Sequence, residues 1–218
     1  MNFRALRIVL WAGVAIAAGI VLWQTQVSRP PSEPQMETQV AAVKNPYFTL
    51  TGSDGAPVDT SALGNTHQLV YFGFTYCPDV CPISARKMVT ADVLYQLKRA
   101  DVPLRTVFVS FDTERDTADV LAEYEKNLTL SVLEDFAGTD GAGVTLDLMA
   151  LTGSAEDMDA AMAEFPTFVT QVNDPDMPDG YTFTHTDIIY WVRPDGSVEL
   201  FSARHSADDI AATLAAWS

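Results

Sequence analysis

Two stretches of the chain are apolar almost without interruption. Gln68 to Phe74 (QLVYFGF) and Arg105 to Phe111 (RTVFVSF) are rich in β-branched and aromatic residues, the pattern of short strands covered on both faces. Between them, Pro82 opens a helix to about Arg99, proline being tolerated in a first turn. Upstream, Tyr47 to Thr51 alternates as a half-buried strand should, and ends in the turn cluster Gly52-Ser53-Asp54-Gly55. Downstream, Thr117 is a plausible N-cap for a helix to about Leu128. Residues 131–144 (SVLEDFAGTDGAGV) follow no period and read as a loop. Leu146 to Leu151 reads as a strand, and Ser154 caps a helix to Phe165, with Asp157 placed for a weak capping box. Thr167 to Val172, Ile188 to Val192 and Val198 to Phe201 have strand character, and Pro194-Asp195-Gly196 turns between the last two. Asp208 to Trp217 is an amphipathic helix. Strands alternating with helices, then a hairpin and a last helix, predict an α/β fold with a mixed sheet and helices on its faces.

The N-terminus has a different pattern. Arg4 and Arg7 precede an uncharged run from Ile8 to Ser28, whose apolar heart is IVLWAGVAIAAGIVLW. A bilayer-spanning helix needs about 20 apolar residues, so the run suffices for one transmembrane helix. Trp11 and Trp23 suit the two interfaces. A cleaved signal peptide is the competing reading, but its apolar region spans only about 7–15 residues and ends in a small-x-small site. This run is longer and ends in Trp-Gln-Thr-Gln-Val. The expected division is a membrane anchor over residues 1–28, a Pro-rich polar linker over 29–44, and one globular domain over 45–218.

Charge narrows the possible partners. The formal net charge is −16, from 29 acidic against 13 basic side chains, two of which are Arg4 and Arg7. A body this acidic repels nucleic acid and anionic lipid headgroups. Positive charge before the apolar run and acid after it predict an inner-membrane protein whose soluble domain faces the periplasm. That compartment permits disulfides.

The candidate chemistry lies in Tyr76-Cys77-Pro78-Asp79-Val80-Cys81-Pro82, which holds both cysteines of the chain. They follow a buried strand and precede a helix, whose N-terminal amides and dipole stabilise a thiolate. A separation of four brings both sulfurs to one side of a turn, where they either close a disulfide or grip one soft metal ion. A purely structural disulfide is the weaker reading, because so short a loop removes little entropy from the unfolded chain. Two thiolates do not complete a metal site, and three histidines are available. His67 begins a strand and reads as a solvated turn residue, and His205 precedes the last helix and reads as exposed. His185 stands between a segment rich in Pro, Asp and Gly (Asn173 to Gly180) and a buried strand, which favours it only modestly. Asp79, Asp112 and Asp116 read mainly as turn-forming and capping residues, with support of the site or docking as the alternative. Met88, Met149, Met158 and Met162 fall on expected helices or strands and read as packing residues; Met36 and Met177 lie in expected loops, where transient contact with a soft metal ion is the minor alternative.

Four blocks carry a family resemblance. Val70-Tyr71-Phe72-Gly73-Phe74-Thr75 with the Cys77–Pro82 segment resembles the signature of the Sco/SenC copper-binding proteins. Val109 to Thr117 (VSFDTERDT), Leu151-Thr152-Gly153, and His185-Thr186-Asp187-Ile188-Ile189-Tyr190 with Arg193-Pro194-Asp195-Gly196 resemble that family's later blocks, in the same order. The resemblance covers about residues 45–218 and extends to the N-terminal anchor. It implies a thioredoxin-like domain, which the order of elements also fits, with Cys77, Cys81 and His185 as copper ligands. Thiolates suit Cu(I), and imidazole lets the same site accept Cu(II). It further implies a metallochaperone that helps assemble the dinuclear CuA centre of cytochrome c oxidase, with oxidase subunit II or another copper-centre assembly factor as partner. The competing function is a thiol–disulfide reductase in which Cys77 and Cys81 cycle on the subunit's cysteines; a redox or copper sensor is a third reading. Departures from the family pattern are Tyr76 where His is usual before the first cysteine, Thr184 where Asp commonly precedes the histidine, and Thr113 where Pro is usual.

Overall fold

Residues 43–63, 66–98 and 103–217 are described in the computed structural model of the chain. The expected anchor and most of the expected linker fall outside them. Among the described residues no helix is long and apolar enough to cross a membrane.

The two apolar runs form the centre of the sheet. β1 (Thr49–Gly52) pairs with the short β2 (Pro57–Asp59), and the runs are β3 (His67–Gly73) and β4 (Leu104–Ser110). They pair in parallel from His67↔Leu104 to Gly73↔Ser110. Parallel neighbours need a crossover, and α1 (Val80–Lys98) supplies it. This helix starts two residues before Pro82, which leaves the proline inside the first turn, where its missing N–H costs no hydrogen bond. Cys81 is therefore the helix's second residue.

After β4 come α2 (Ala118–Asp135), β5 (Leu148–Thr152), α3 (Ala155–Ala163), β6 (Val169–Asn173), β7 (Tyr181–His185), β8 (Ile188–Val192), β9 (Val198–Ser202) and α4 (Ala207–Ala216). The main sheet runs β2-β1-β5-β4-β3-β8-β9. β8 and β9 are antiparallel, β8 lying against β3 with Tyr71 opposite Ile189. A βαβ unit joined through its first strand to a ββα unit is the thioredoxin-like arrangement. β6 and β7 pair only with each other, as a two-stranded ribbon outside the main sheet.

Strand alternation sends side chains to two cores. Leu69, Tyr71, Phe108 and Trp191 face α1, α2 and α4, with the Tyr124 ring of α2 tilted against Phe108, 4.7 Å between centres. Phe72 and Tyr190 face the other side, where Phe165, just beyond α3, and Phe48 pack 5.0–6.2 Å from them, ring to ring.

One expectation is corrected and two strands are added. Residues 131–144 are not one loop: α2 continues to Asp135 because Val132, three turns on from Leu121, is buried on the same helix face. The helix stops only at the turn containing Gly138 at φ 77°, and a short 3-10 turn follows over Asp140–Gly143. β2 and β7 are strands that the sequence pattern missed; Tyr181–His185 (YTFTH) is short and partly exposed, and its ribbon turn holds Asp179 and Gly180 at positive φ. Both predicted caps form, Ser154 with Asp157 in a complete capping box and Thr117 accepting from the Val120 N–H.

Candidate metal centre

The chain leaves β3 at Gly73 and turns through Phe74–Asp79 into α1. Gly73 is required by closeness, not by its backbone angle. A Cβ there would sit 2.9 Å from the Tyr71 ring, 3.1 Å from the Phe108 ring and 3.2 Å from Cys81 Sγ. The turn is pinned from below by Asp116, whose carboxylate accepts from the Thr75 N–H at 2.8 Å and the Thr75 hydroxyl at 2.5 Å, and also from the Ser110 hydroxyl. Burial pushes the Asp116 carboxyl up, opposed by these hydrogen bonds.

Cys81 is fully buried and Cys77 is half-buried; both are free thiols. His185, the last residue of β7, brings Nε2 to 3.1 Å from Cys81 Sγ. Its Nδ1 lies 3.0 Å from the Thr186 carbonyl, so it donates there and leaves the Nε2 lone pair turned toward the cysteines. Phe74, Phe111 and Tyr71 surround the imidazole at 5.3–6.4 Å between ring centres. One ligand atom from each of Cys77, Cys81 and His185 lies within 4.8 Å of the others. Elements far apart in sequence thus converge: a strand-to-helix turn supplies two sulfurs and the ribbon supplies a nitrogen.

The two thiols are unequal. Hydrogen bonding from Cys81 lowers the Cys77 thiol to about 4, aided by the backbone N–H groups of Asp79 and Cys81, with burial opposing. Cys81 is pushed up, because it is the donor to Cys77 and because it is buried. Cys77 is the ready thiolate and Cys81 the proton holder. Such a set serves either as soft-metal ligands or as a nucleophile with its resolving thiol.

The other candidate residues go elsewhere. His67 is not solvated: it is buried, accepts from the Trp191 indole N–H at 3.1 Å, and packs between Tyr95 and Trp217. His205 is half-buried, its Nδ1 accepting from the Ser202 N–H at 3.1 Å. Asp112 and Asp116 are buried struts, not surface turn residues. Asp112 pairs with Arg115 at 2.6 Å and accepts from the Tyr181 hydroxyl at 2.9 Å, while Arg115 donates to the Pro178 and Tyr181 carbonyls. This group fastens the far end of the ribbon. Asp79 is exposed. Met88 and Met158 are core residues, Met149 and Met162 pack against the core, and Met36 lies outside the described residues.

Sequence reasoning passed over Tyr71, Ser84 and Asp187. The Tyr71 and Ser84 hydroxyls both donate to Asp187 Oδ1, at 3.0 and 2.7 Å. The available signal was a carboxylate set directly before the apolar run Ile188–Val192. Thr184, where the family commonly has Asp, is exposed on the ribbon.

Comparison with known proteins decides the family. The family described as SCO1/SenC matches residues 36–218. The chain belongs to the SCO1/SenC family. The mouse (Mus musculus) mitochondrial SCO1 homolog is 30% identical over 171 residues, 78% of this chain and 54% of that protein. The chain thus spans about half of that relative's length. The copper-bound structure of Arabidopsis thaliana ScoI superposes with a TM-score of 0.66 at 25% identity, covering 78% of this chain and 95% of that one. Copper-bound Bradyrhizobium japonicum ScoI gives 0.57 at 28% identity, covering 78% and 96%. The SCO1/SenC chain described here shares with them the thioredoxin-like fold.

Proposed function

We propose that this protein is a copper metallochaperone of cytochrome c oxidase assembly, with Cys77, Cys81 and His185 as its copper ligands. The observation that carries the reading is the meeting of two sulfurs and one imidazole nitrogen within 4.8 Å, on a fold shared with copper-bound relatives. The donor set fits the ion: two thiolates favour Cu(I), and an Nε2 fixed by its Nδ1 hydrogen bond makes Cu(II) tolerable. Few ligands at a partly open site also favour release to a recipient. The proposed recipient is the CuA site of oxidase subunit II or another assembly factor. In the same reading, residues 1–28 anchor the chain in the inner membrane, 29–44 form a tether, and 45–218 work in the periplasm.

Copper stoichiometry of the reduced full chain tests this. One tightly held ion is expected in the wild type, lost in both His185→Ala and Cys77→Ser while the circular dichroism stays native. Undiminished copper affinity in His185→Ala would remove the three-ligand assignment.

A second reading is favoured by the inequality of the thiols. A half-buried Cys77 thiolate beside a protonated, buried Cys81 is the arrangement of a dithiol reductant. Cys77 would attack a substrate disulfide, and Cys81 would then close the Cys77–Cys81 bond and release the substrate as two thiols. Exchange that persists in His185→Ala supports this activity. A pair that no physiological thiol reductant can recycle excludes it.

A further inference from the structure

The ribbon that carries His185 is the least anchored part of the site. β6 is exposed along most of its length and neither ribbon strand pairs with the main sheet. The link from His185 to β8 is only two residues long, Thr186 and Asp187. One oxygen of that link makes two tertiary contacts. Asp187 Oδ1 accepts from the Tyr71 hydroxyl of β3 at 3.0 Å and from the Ser84 hydroxyl of α1 at 2.7 Å. Both donors are buried, and Ser84 lies one helical turn beyond Cys81, on the same face of α1. The Tyr71 ring also stands edge-on to the imidazole, 6.4 Å between centres. A single side chain therefore joins the histidine's link both to the strand that enters the cysteine turn and to the helix that leaves it.

We propose that Asp187 is a positioning residue for His185, holding the imidazole at the two cysteines through its bonds to Tyr71 and Ser84. The inference rests on the reading of His185 as a ligand. A hydrogen bond from each of two rigid elements fixes the link in translation and in rotation, which one bond alone would not do. The Thr186 carbonyl, held in the same link, receives the His185 Nδ1–H and so inherits that orientation. What is needed at residue 187 is an acceptor oxygen at the Oδ1 position, so asparagine should serve and leucine should not.

The experiment compares full-length wild type, Asp187→Leu, Asp187→Asn, Ser84→Ala and His185→Ala by two readouts. The first, without copper, is the tautomer of His185 from its ring ¹⁵N signals. Wild type and Asp187→Asn should hold the Nδ1–H form, whereas Asp187→Leu should show averaged tautomers. The second is copper affinity by competition with a chelator, where Asp187→Leu should lose ~10-fold or more and Asp187→Asn should stay within ~3-fold of wild type. A leucine variant that keeps both the wild-type tautomer and the wild-type affinity overturns the proposal. So does an asparagine variant as impaired as leucine, since charge and not placement would then matter. If the leucine variant does not fold, Ser84→Ala carries the test, because it removes one donor to Oδ1 and leaves the carboxylate. Partial averaging of the tautomer supports the proposal, and an unchanged signal overturns it. His185→Ala separates the two claims: wild-type affinity there removes the ligand assignment, while the copper-free tautomer still reports whether Asp187 positions the ring.

Discussion

Asp116 holds Thr75 by two hydrogen bonds, 2.8 Å from the backbone N–H and 2.5 Å from the hydroxyl, and so sets the turn that presents Cys77. Its third partner, the Ser110 hydroxyl, is at the end of β4. Replacing Asp116 by Ala strands these donors, the Ser110 hydroxyl being buried and Thr75 half-buried. The expected cost is about 3 kcal/mol of stability, since each unsatisfied buried polar group costs roughly 1–3 kcal/mol. Denaturant unfolding of the copper-free protein measures it, and a loss below half of that value would mean that water enters to replace the carboxylate.

Gly73→Ala tests the closeness of β3 to the first turn of α1. The new methyl would meet the Tyr71 ring, the Phe108 ring and Cys81 Sγ at 2.9–3.2 Å. All three are fully buried and have nowhere to retreat. Overpacking of this kind costs roughly 1–3 kcal/mol, and here the displaced atom is a proposed ligand. Both the unfolding midpoint and the copper affinity should fall. A variant that is less stable but binds copper normally would show that Cys81 Sγ does not move.

His67→Leu separates a histidine of the core from one of the site. It removes the acceptor of the Trp191 indole N–H, which is wholly buried, so stability should drop by about 1–3 kcal/mol. Copper stoichiometry should not change. A lost ion would place His67, against its geometry, in the copper pathway.

Asp92 predicts a pH dependence unrelated to copper. It lies on α1, wholly buried, with Oδ1 accepting from Gln96 and Oδ2 lacking a partner among the described residues. Burial raises its carboxyl to about 7, with Asp147 adding to the shift and Gln96 opposing it. The folded chain therefore holds a proton that the unfolded chain, near the ordinary value of about 4, has released. The stability from this group is fully present below about pH 4 and is lost as pH rises through about 7. Asp92→Asn should flatten that decline, so the difference in Tm between the two proteins should widen from pH 4 to 8. Parallel profiles would show that Asp92 is ionised throughout.

The central elements were legible because they obey simple patterns. β3 and β4 are mostly apolar, with β-branched and aromatic residues at their centres as doubly covered strands require, and Ser154 with Asp157 is a local capping signal that needs no tertiary context. The cysteine pair announced itself by spacing and by its place before a helix. His185 was different. It meets Cys81 across 104 positions of sequence, and only the family resemblance selected it from three histidines. His67 reads as solvated because its aromatic surroundings come from α1, β8 and the chain end, none of which is local. Residues 131–135 lacked a period of their own, although Val132 continues the buried face begun at Leu121. Asp187 has no local signature either, since an acid before an apolar strand ordinarily reads as a turn residue.

The ribbon divides the three sulfur and nitrogen donors between unequal parts of the molecule. Cys77 and Cys81 stand where β3 meets α1, at the heart of the main sheet, whereas His185 belongs to a strand pair with little buried surface. Openings that cost least free energy occur where burial is thin, so the His185 end of the ribbon should open long before the sheet gives, while Asp112 and Arg115 keep the far end fastened. Under the proposed ligand assignment, the histidine would be the hinged half of a clasp whose fixed half is the cysteine pair. An ion can be uncovered by a movement far smaller than unfolding, and the stability of the sheet and the lifetime of the closed clasp can be adjusted separately.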